Sequence, residues 1–223
     1  MAPSRHPLFA RYFERVGSRA EDRGLADHRR AMLEGLTGRA LEIGSGTGLN
    51  FDKYPDGVDE VIAVEPEPYL RSRSAEAAGR TSTTIRIVAA VGEALPFPDS
   101  TFDAAVVCGV LCSVPHVETT LAELRRVLRP GGEIRFFEHV RSEGAVRGSV
   151  QDGLDLIWPR LMGGCHTNRR TLAAIRGGGY RIESCRSFLF PTGAMLSPVA
   201  PRILGIARRV DPDGNDGDRS PTG

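Results

Sequence analysis

Cysteine is scarce: four residues in 223, at Cys108, Cys112, Cys165 and Cys185. They are too few and too scattered for a disulfide framework, and none forms a CxxC pair with zinc-ligand spacing, so no metal is expected. A reducing cytosol suits that usage. Long apolar runs are missing too. No window approaches the roughly 20 apolar residues of a spanning helix, and the cationic start MAPSRHPLFARYFERV lacks the apolar core of a signal peptide, so a soluble, cytoplasmic protein is expected. Neither sign of charge dominates: 29 Lys and Arg stand against 28 Asp and Glu. That balance argues against a global basic field for nucleic acid and against an acidic solvating tail. Internal repeats and low-complexity core segments are absent as well. A small molecule is the partner left.

What is present is an alternation of two kinds of apolar segment. Residues 40–44, 61–65, 84–90, 102–108 and 133–140 are short, β-branched or aromatic and bounded by turns, and they read as strands. Between them lie helical patterns. The clearest is VETTLAELRRVL, where Val117, Leu121, Leu124, Val127 and Leu128 share one face before Arg129-Pro130-Gly131-Gly132 ends it. The reading is an α/β fold, Rossmann-like and doubly wound, with a mostly parallel seven-stranded sheet. Residues 180–190 and 202–210, without a clear helix between them, suit an antiparallel hairpin at its edge. One domain over 1–210 is expected, with an N-terminal helical cap at 5–38, a lid at 141–170 over the acceptor pocket, and a disordered polar tail at 211–223. Phe9, Tyr12 and Phe13 in the cap are placed to line that pocket or to pack on the sheet.

The first strand runs into a glycine loop, RALEIGSGTGLN (39–50). In an open parallel sheet ligands sit beyond the carboxyl ends of the strands, so this loop is where a nucleotide belongs. Gly44, Gly46 and Gly48 permit a tight strand-to-helix turn. The dinucleotide spacing G-x-G-x-x-G fails, because Leu49 stands three after Gly46, and the P-loop G-K-[ST] is absent. Two acids remain, Glu42 entering the loop and Glu65 ending the second strand. A carboxylate at Glu65 can accept hydrogen bonds from both hydroxyls of a ribose; its rival role is to cap the following helix. Glu42 is as well suited to bonding loop amides as to reaching the cofactor through water. With nothing basic ready for a pyrophosphate, the combination suits S-adenosylmethionine.

LEIGSGTG, AVEP, GEALPFPDSTFDAAVV and LRRVLRPGGEIRFFEHV, roughly residues 39–140, resemble class I S-adenosylmethionine-dependent methyltransferases of the small-molecule kind, which include the ubiquinone and menaquinone methyltransferases. The resemblance implies that Gly44, Gly46 and Gly48 wrap the methionine part, that Glu65 holds the ribose, and that Gly92 and Glu93 border adenine, with Cys108 completing the cofactor set. One departure stands out: relatives often carry G-D-A at the third loop, where Ala90-Val91-Gly92 offers no Asp. A narrower likeness lies in VVCGVLCSV, EHV, the element Gln151, Leu154, Asp155, Trp158, and GCHTNR (164–169). Their order is similar to that in microsomal thiol methyltransferases. Those relatives begin with a hydrophobic anchor, so the expectation here is a soluble cousin with a small acceptor, a thiol being one hypothesis beside O-, N- or C-methylation. A binding protein without catalysis is the alternative from a different class.

Methyl transfer from a sulfonium is an in-line displacement, accelerated largely by positioning. A thiol with a pKa of about 8.5 ionises partly by itself, whereas a phenol or alcohol gains more from a base. Candidate groups are Cys112, His116, Glu138, His139, Asp155 and His166. His139, at the carboxyl edge, is favoured as catalytic, with Asp155 second. Cys108 and Cys112 also read as small buried residues, His28 as part of a solvated helix face, Trp158 as core or lid, and the pairs Arg125-Arg126 and Arg169-Arg170 as solvated faces.

Overall fold

In the computed structural model, residues 10–12, 14–15, 17, 21–191 and 197–210 are described. Phe9 and Phe13 of the cap and the whole 211–223 tail lie outside them. The strands are β1 (Gly38–Ile43), β2 (Val58–Val64), β3 (Ile85–Val88), β4 (Phe102–Cys108), β5 (Leu128–His139), β6 (Tyr180–Leu189) and β7 (Pro201–Arg209). The helices are α1 (Ala26–Leu33), α2 (Pro68–Ala78), α3 (Val117–Val127), α4 (Ala145–Leu154), α5 (Trp158–Leu161) and α6 (Thr171–Gly177). They build one seven-stranded sheet in the order β3-β2-β1-β4-β5-β7-β6. The first five strands are parallel, and β7 runs antiparallel to both β5 and β6. This is the Rossmann-like sheet with its closing hairpin that the strand pattern suggests.

Both faces of the central strands are buried, and the period of two divides their side chains between them. Leu41, Ile43, Ala105, Val107, Ile134 and Phe136 join Leu121, Leu124 and Ile175 in one cluster. Ala40, Ala104, Val106 and Phe137 join Met32, Leu33 and Leu36 in the other. The chain leaves β1 in one direction to reach β2 and β3, then returns to place β4 on its other side. The carboxyl ends of β1 and β4 therefore flank the switch point, where such sheets open a crevice.

Three local readings change. The loop after β1 does not enter a long helix: it closes in a single 3₁₀ turn, Phe51–Lys53, because only 14 residues separate β1 from β2 and Pro55 ends the turn. The Arg129–Gly132 turn lies within β5, as an irregularity where the register jumps from Phe102 opposite Leu128 to Ala104 opposite Glu133. His28 leaves the solvated face assigned to it and packs among Phe137, Phe188 and Phe190, with ring centroids 4.5–5.8 Å away. That aromatic surface exists only once β6 and β7 are paired to β5.

The expected cap and lid regions attach by specific bonds. Ala10, Arg11, Tyr12, Glu14, Arg15 and Gly17 are helical. Glu14 accepts bonds from the Tyr69 hydroxyl and Arg73 Nε, both 2.6 Å, which ties this segment to α2. In the lid region Gln151 is fully buried. Its Oε1 accepts from Ser142 N, and its Nε2 lies 2.7–3.0 Å from the carbonyls of Val140, Thr167 and Pro198. Among the described residues no helix is long and apolar enough to cross a membrane.

Candidate active site

The glycine loop is shaped by its neighbours before any ligand is considered. Gly44, Gly46 and Gly48 all have positive φ, at 65°, 56° and 80°. At Gly44 a Cβ would stand 2.6 Å from Val110 Cγ2, so the glycine also lets the β4 loop close onto β1. Gly44 and Ser45 donate to the Val64 carbonyl, which draws the loop toward the end of β2. There Glu65 Oε2 accepts from Gly46 N and Oε1 from Glu67 N, each at 2.9 Å. Each oxygen retains acceptor capacity for a hydroxyl. Burial pushes the Glu65 carboxyl up to about 7 against the pull of those two N–H groups. The capping role falls to Glu67, whose side chain accepts from Leu70 N at the start of α2.

Glu42 does not bond the loop amides. Its oxygens accept from Asn50 Nδ2 at 2.8 Å and the Tyr54 hydroxyl at 2.7 Å, side chains rather than loop amides. It holds the loop from beneath. Arg29 completes this layer: its guanidinium reaches Glu21 Oε1, Asn50 Oδ1 and Cys108 Sγ at 2.7–3.0 Å. Cys108 thus ends β4 facing a buried cation, and burial still pushes its thiol up to about 11. Beside it Gly109 has φ 70°, and a Cβ there would meet nothing within 4 Å. The backbone at the end of β4 borders open space, as a closely approaching ligand requires.

The third loop is built by packing. A Cβ on Gly92 would press on Thr120 Cγ2 at 3.0 Å, and Glu93 Oε1 accepts a long bond from His116 N at 3.4 Å. His116 sits at the start of α3 without capping it through its side chain. Arg126, read as a solvated face, instead fastens this loop through the Leu95 and Phe97 carbonyls, Asp99 and Glu123. With a carboxylate at β2, a left-handed glycine loop at β1 and open backbone at β4, these groups fit a phosphate-free nucleoside.

Next to β4, β5 brings Glu138 and His139 to the same edge. Glu138 is fully buried; its Oε1 accepts from Val110 N and Leu111 N at 2.8 and 3.0 Å, while Oε2 has no hydrogen-bond partner. Burial raises its pKa. Arg202 of β7 lies opposite His139 in the register, with its Nε also unpartnered, its guanidinium over the Phe137 ring, and its pKa lowered by burial. Unpaired buried polar atoms are uncommon in folded proteins, and two occur at this edge.

His139 is 3% exposed. Its Nε2 lies 2.9 Å from the His166 carbonyl and 3.4 Å from Cys165 Sγ. Burial, with Arg202 nearby, pushes the imidazole down to about 3. Asp155 holds the lid loop rather than open space: Oδ2 meets His166 Nδ1 and Oδ1 meets Thr167 N, both at 2.7 Å. His166 N donates to the Cys112 carbonyl, which ties the lid loop to the β4 loop. The fold therefore gathers Cys112, His139 and Cys165, whose ligand atoms lie within 4.8 Å of one another. Sequence spacing alone had excluded such a grouping. Arg29, Asn50, Tyr54 and Arg202 likewise carried no local signal.

Residues 41–136 match the family described as a methyltransferase domain. Over 183 residues, 78% of this chain and 73% of the relative, the sequence is 35% identical to thiol S-methyltransferase TMT1B of Mus musculus. It is 31% identical over 137 residues, 58% of this chain and 53% of the relative, to the ubiquinone/menaquinone biosynthesis C-methyltransferase UbiE of Azotobacter vinelandii. A solved SAM-dependent methyltransferase of Methanosarcina mazei shares the fold, with TM-score 0.61 at 20% identity, covering 77% of this chain and 92% of that one.

Proposed function

Because the chain belongs to the class I S-adenosylmethionine-dependent methyltransferases, we propose that its acceptor is a small thiol. The cofactor is S-adenosylmethionine, which supplies a methyl group on a sulfonium. In this reading Gly44, Gly46 and Gly48 wrap the methionine part, Glu65 accepts from the ribose hydroxyls, and Gly92 and Glu93 border the adenine. Cys108 and Gly109 line the cofactor's approach to the acceptor. Glu42 acts through Asn50 and Tyr54 as a positioning residue. The described part of the N-terminal segment up to residue 38 forms a helical cap, and 141–170 forms the lid over the acceptor pocket.

The observation that carries the thiol reading is the commitment of the candidate bases. His139 is buried with Nε2 on the His166 carbonyl, and both Asp155 oxygens are held by the lid loop. Burial holds the His139 imidazole down at about 3, a weak base for a phenol or alcohol, and Asp155 is occupied. A thiol needs that help least, since its ordinary pKa of about 8.5 leaves a reactive fraction ionised near neutrality. The likeness to a thiol S-methyltransferase over most of the chain supports the same acceptor. His139 and Asp155 then serve to shape the pocket.

The test is incubation with methyl-labelled S-adenosylmethionine and a panel of small thiols, phenols, amines and quinols, with products identified by mass spectrometry. Labelled thioether with equimolar S-adenosylhomocysteine is expected. Label found only on oxygen, nitrogen or carbon would overturn the thiol assignment and leave methyl transfer standing.

A further inference from the structure

We propose that Cys112, His139 and Cys165 form a three-ligand site for a soft divalent cation, zinc in particular, whose fourth position receives the acceptor thiol. The ligand chemistry comes first. Two thiols and one imidazole are the donor set of open zinc sites, which bind at about 2.3 Å to sulfur and 2.0–2.1 Å to nitrogen. Those lengths place neighbouring sulfur and nitrogen ligands about 3.6 Å apart in a tetrahedron. Cys165 Sγ and His139 Nε2 are 3.4 Å apart, and the three ligand atoms lie within 4.8 Å of one another.

The backbone holds this grouping together. Gly163 and Gly164 are both left-handed, at φ 58° and 86°, and a Cβ on Gly164 would stand 3.1 Å from the Ser113 carbonyl. Two such residues in succession turn the lid loop back onto the β4 loop, where His166 N bonds the Cys112 carbonyl at 2.8 Å. Cys165 is the partly exposed member, whereas Cys112 and His139 are buried. Access to a fourth ligand therefore runs past Cys165. Trp158 lies on the same side, with its indole N–H buried beside Cys165.

Loading releases the two thiol protons, and the ring proton moves from Nε2 to Nδ1. The acceptor half of the proposal rests on the thiol reading. An acceptor thiol taking the fourth position loses its proton to solvent, and its sulfur then forms the new bond to the methyl carbon as the carbon–sulfonium bond breaks. The products are a thioether, neutral S-adenosylhomocysteine and one released proton.

Cobalt(II) is the probe. It is added to reduced, chelator-treated full-length protein and compared with Cys112→Ser, Cys165→Ser, His139→Gln and the exposed control Cys185→Ser. Circular dichroism and S-adenosylhomocysteine binding report the fold of each. One equivalent with thiolate-to-cobalt absorption is expected, displaced by zinc. Each ligand variant that remains folded should bind at least about tenfold more weakly, with Cys185→Ser unchanged. Absence of that absorption in the wild type, or unchanged affinity in folded Cys165→Ser, would overturn the site. Adding 2-mercaptoethanol to the cobalt form should strengthen the charge-transfer band, whereas ethylene glycol should not. No response to the thiol would remove the acceptor position while leaving the metal site. Because metal uptake is measured without turnover, it is separate from any failure of the thiol reading.

Discussion

Glu65 Oε2 and the Gly46 N–H meet at 2.9 Å, so the carboxylate at the end of β2 is fastened to the middle of the glycine loop. This bond links the two parts of the cofactor site. In Glu65→Ala the loop loses its anchor and, in the proposed reading, the ribose its charged acceptor. Hydrogen bonds to charged groups contribute about 1.5–3 kcal/mol, so S-adenosylhomocysteine affinity should fall roughly tenfold or more. Isothermal calorimetry checks this, and unchanged affinity would place the ribose elsewhere.

The same residue sets a pH dependence. Burial raises the folded-state value from the ordinary 4.5 to about 7. Its protonated form therefore favours folding, a contribution fully present below about 4.5 and lost as pH rises through about 7. Ribose hydroxyls favour the ionised form, so cofactor affinity should rise with pH and level off above about 7. Binding near pH 6 should release a proton, detectable by calorimetry in buffers of different ionisation enthalpy. Glu65→Gln should remove both effects.

Gly44 and Gly131 separate backbone conformation from crowding. Both have positive φ, but a Cβ at Gly131 meets nothing within 4 Å while one at Gly44 meets Val110 at 2.6 Å. Gly131→Ala should cost about 1 kcal/mol in urea unfolding. Gly44→Ala should cost about 3 kcal/mol, and S-adenosylhomocysteine should bind it more weakly.

Gln151 pins the lid region. Gln151→Leu leaves Ser142 N and the carbonyls of Val140, Thr167 and Pro198 without this partner. Each unsatisfied buried group costs about 1–3 kcal/mol, so the four together should cost at least about 4 kcal/mol in urea unfolding. Hydrogen exchange should quicken across 141–170 before it does in β1 or β4.

The central strands β1, β2, β4 and β5 were legible because each carries a short apolar run, largely buried and closed by turn residues. The glycine loop and Glu65 were legible for a related reason: their chemistry sits in two short stretches at strand ends. Partners supplied from across the fold had no such signature. Arg29 reaches Cys108 only because α1 packs on the sheet over β5 and β7, and the Cys112, His139 and Cys165 grouping depends on β4–β5 pairing and on the left-handed turn at Gly163-Gly164. Glu42 stood in the right motif, yet its bonds go to Asn50 and Tyr54, side chains positioned by a 3₁₀ turn where a helix was expected.

The most direct measurement of the acceptor assignment is kcat/KM for a matched pair, a thiol and the hydroxyl compound of the same carbon skeleton, competing for methyl-labelled S-adenosylmethionine at neutral pH. With the His139 imidazole held down at about 3 and Asp155 occupied, neither gives the hydroxyl much base assistance, so label should collect on sulfur, with at least about a hundredfold preference, the low end of what general-base catalysis would otherwise supply. Equal labelling of the two, or label on oxygen alone, would contradict the account.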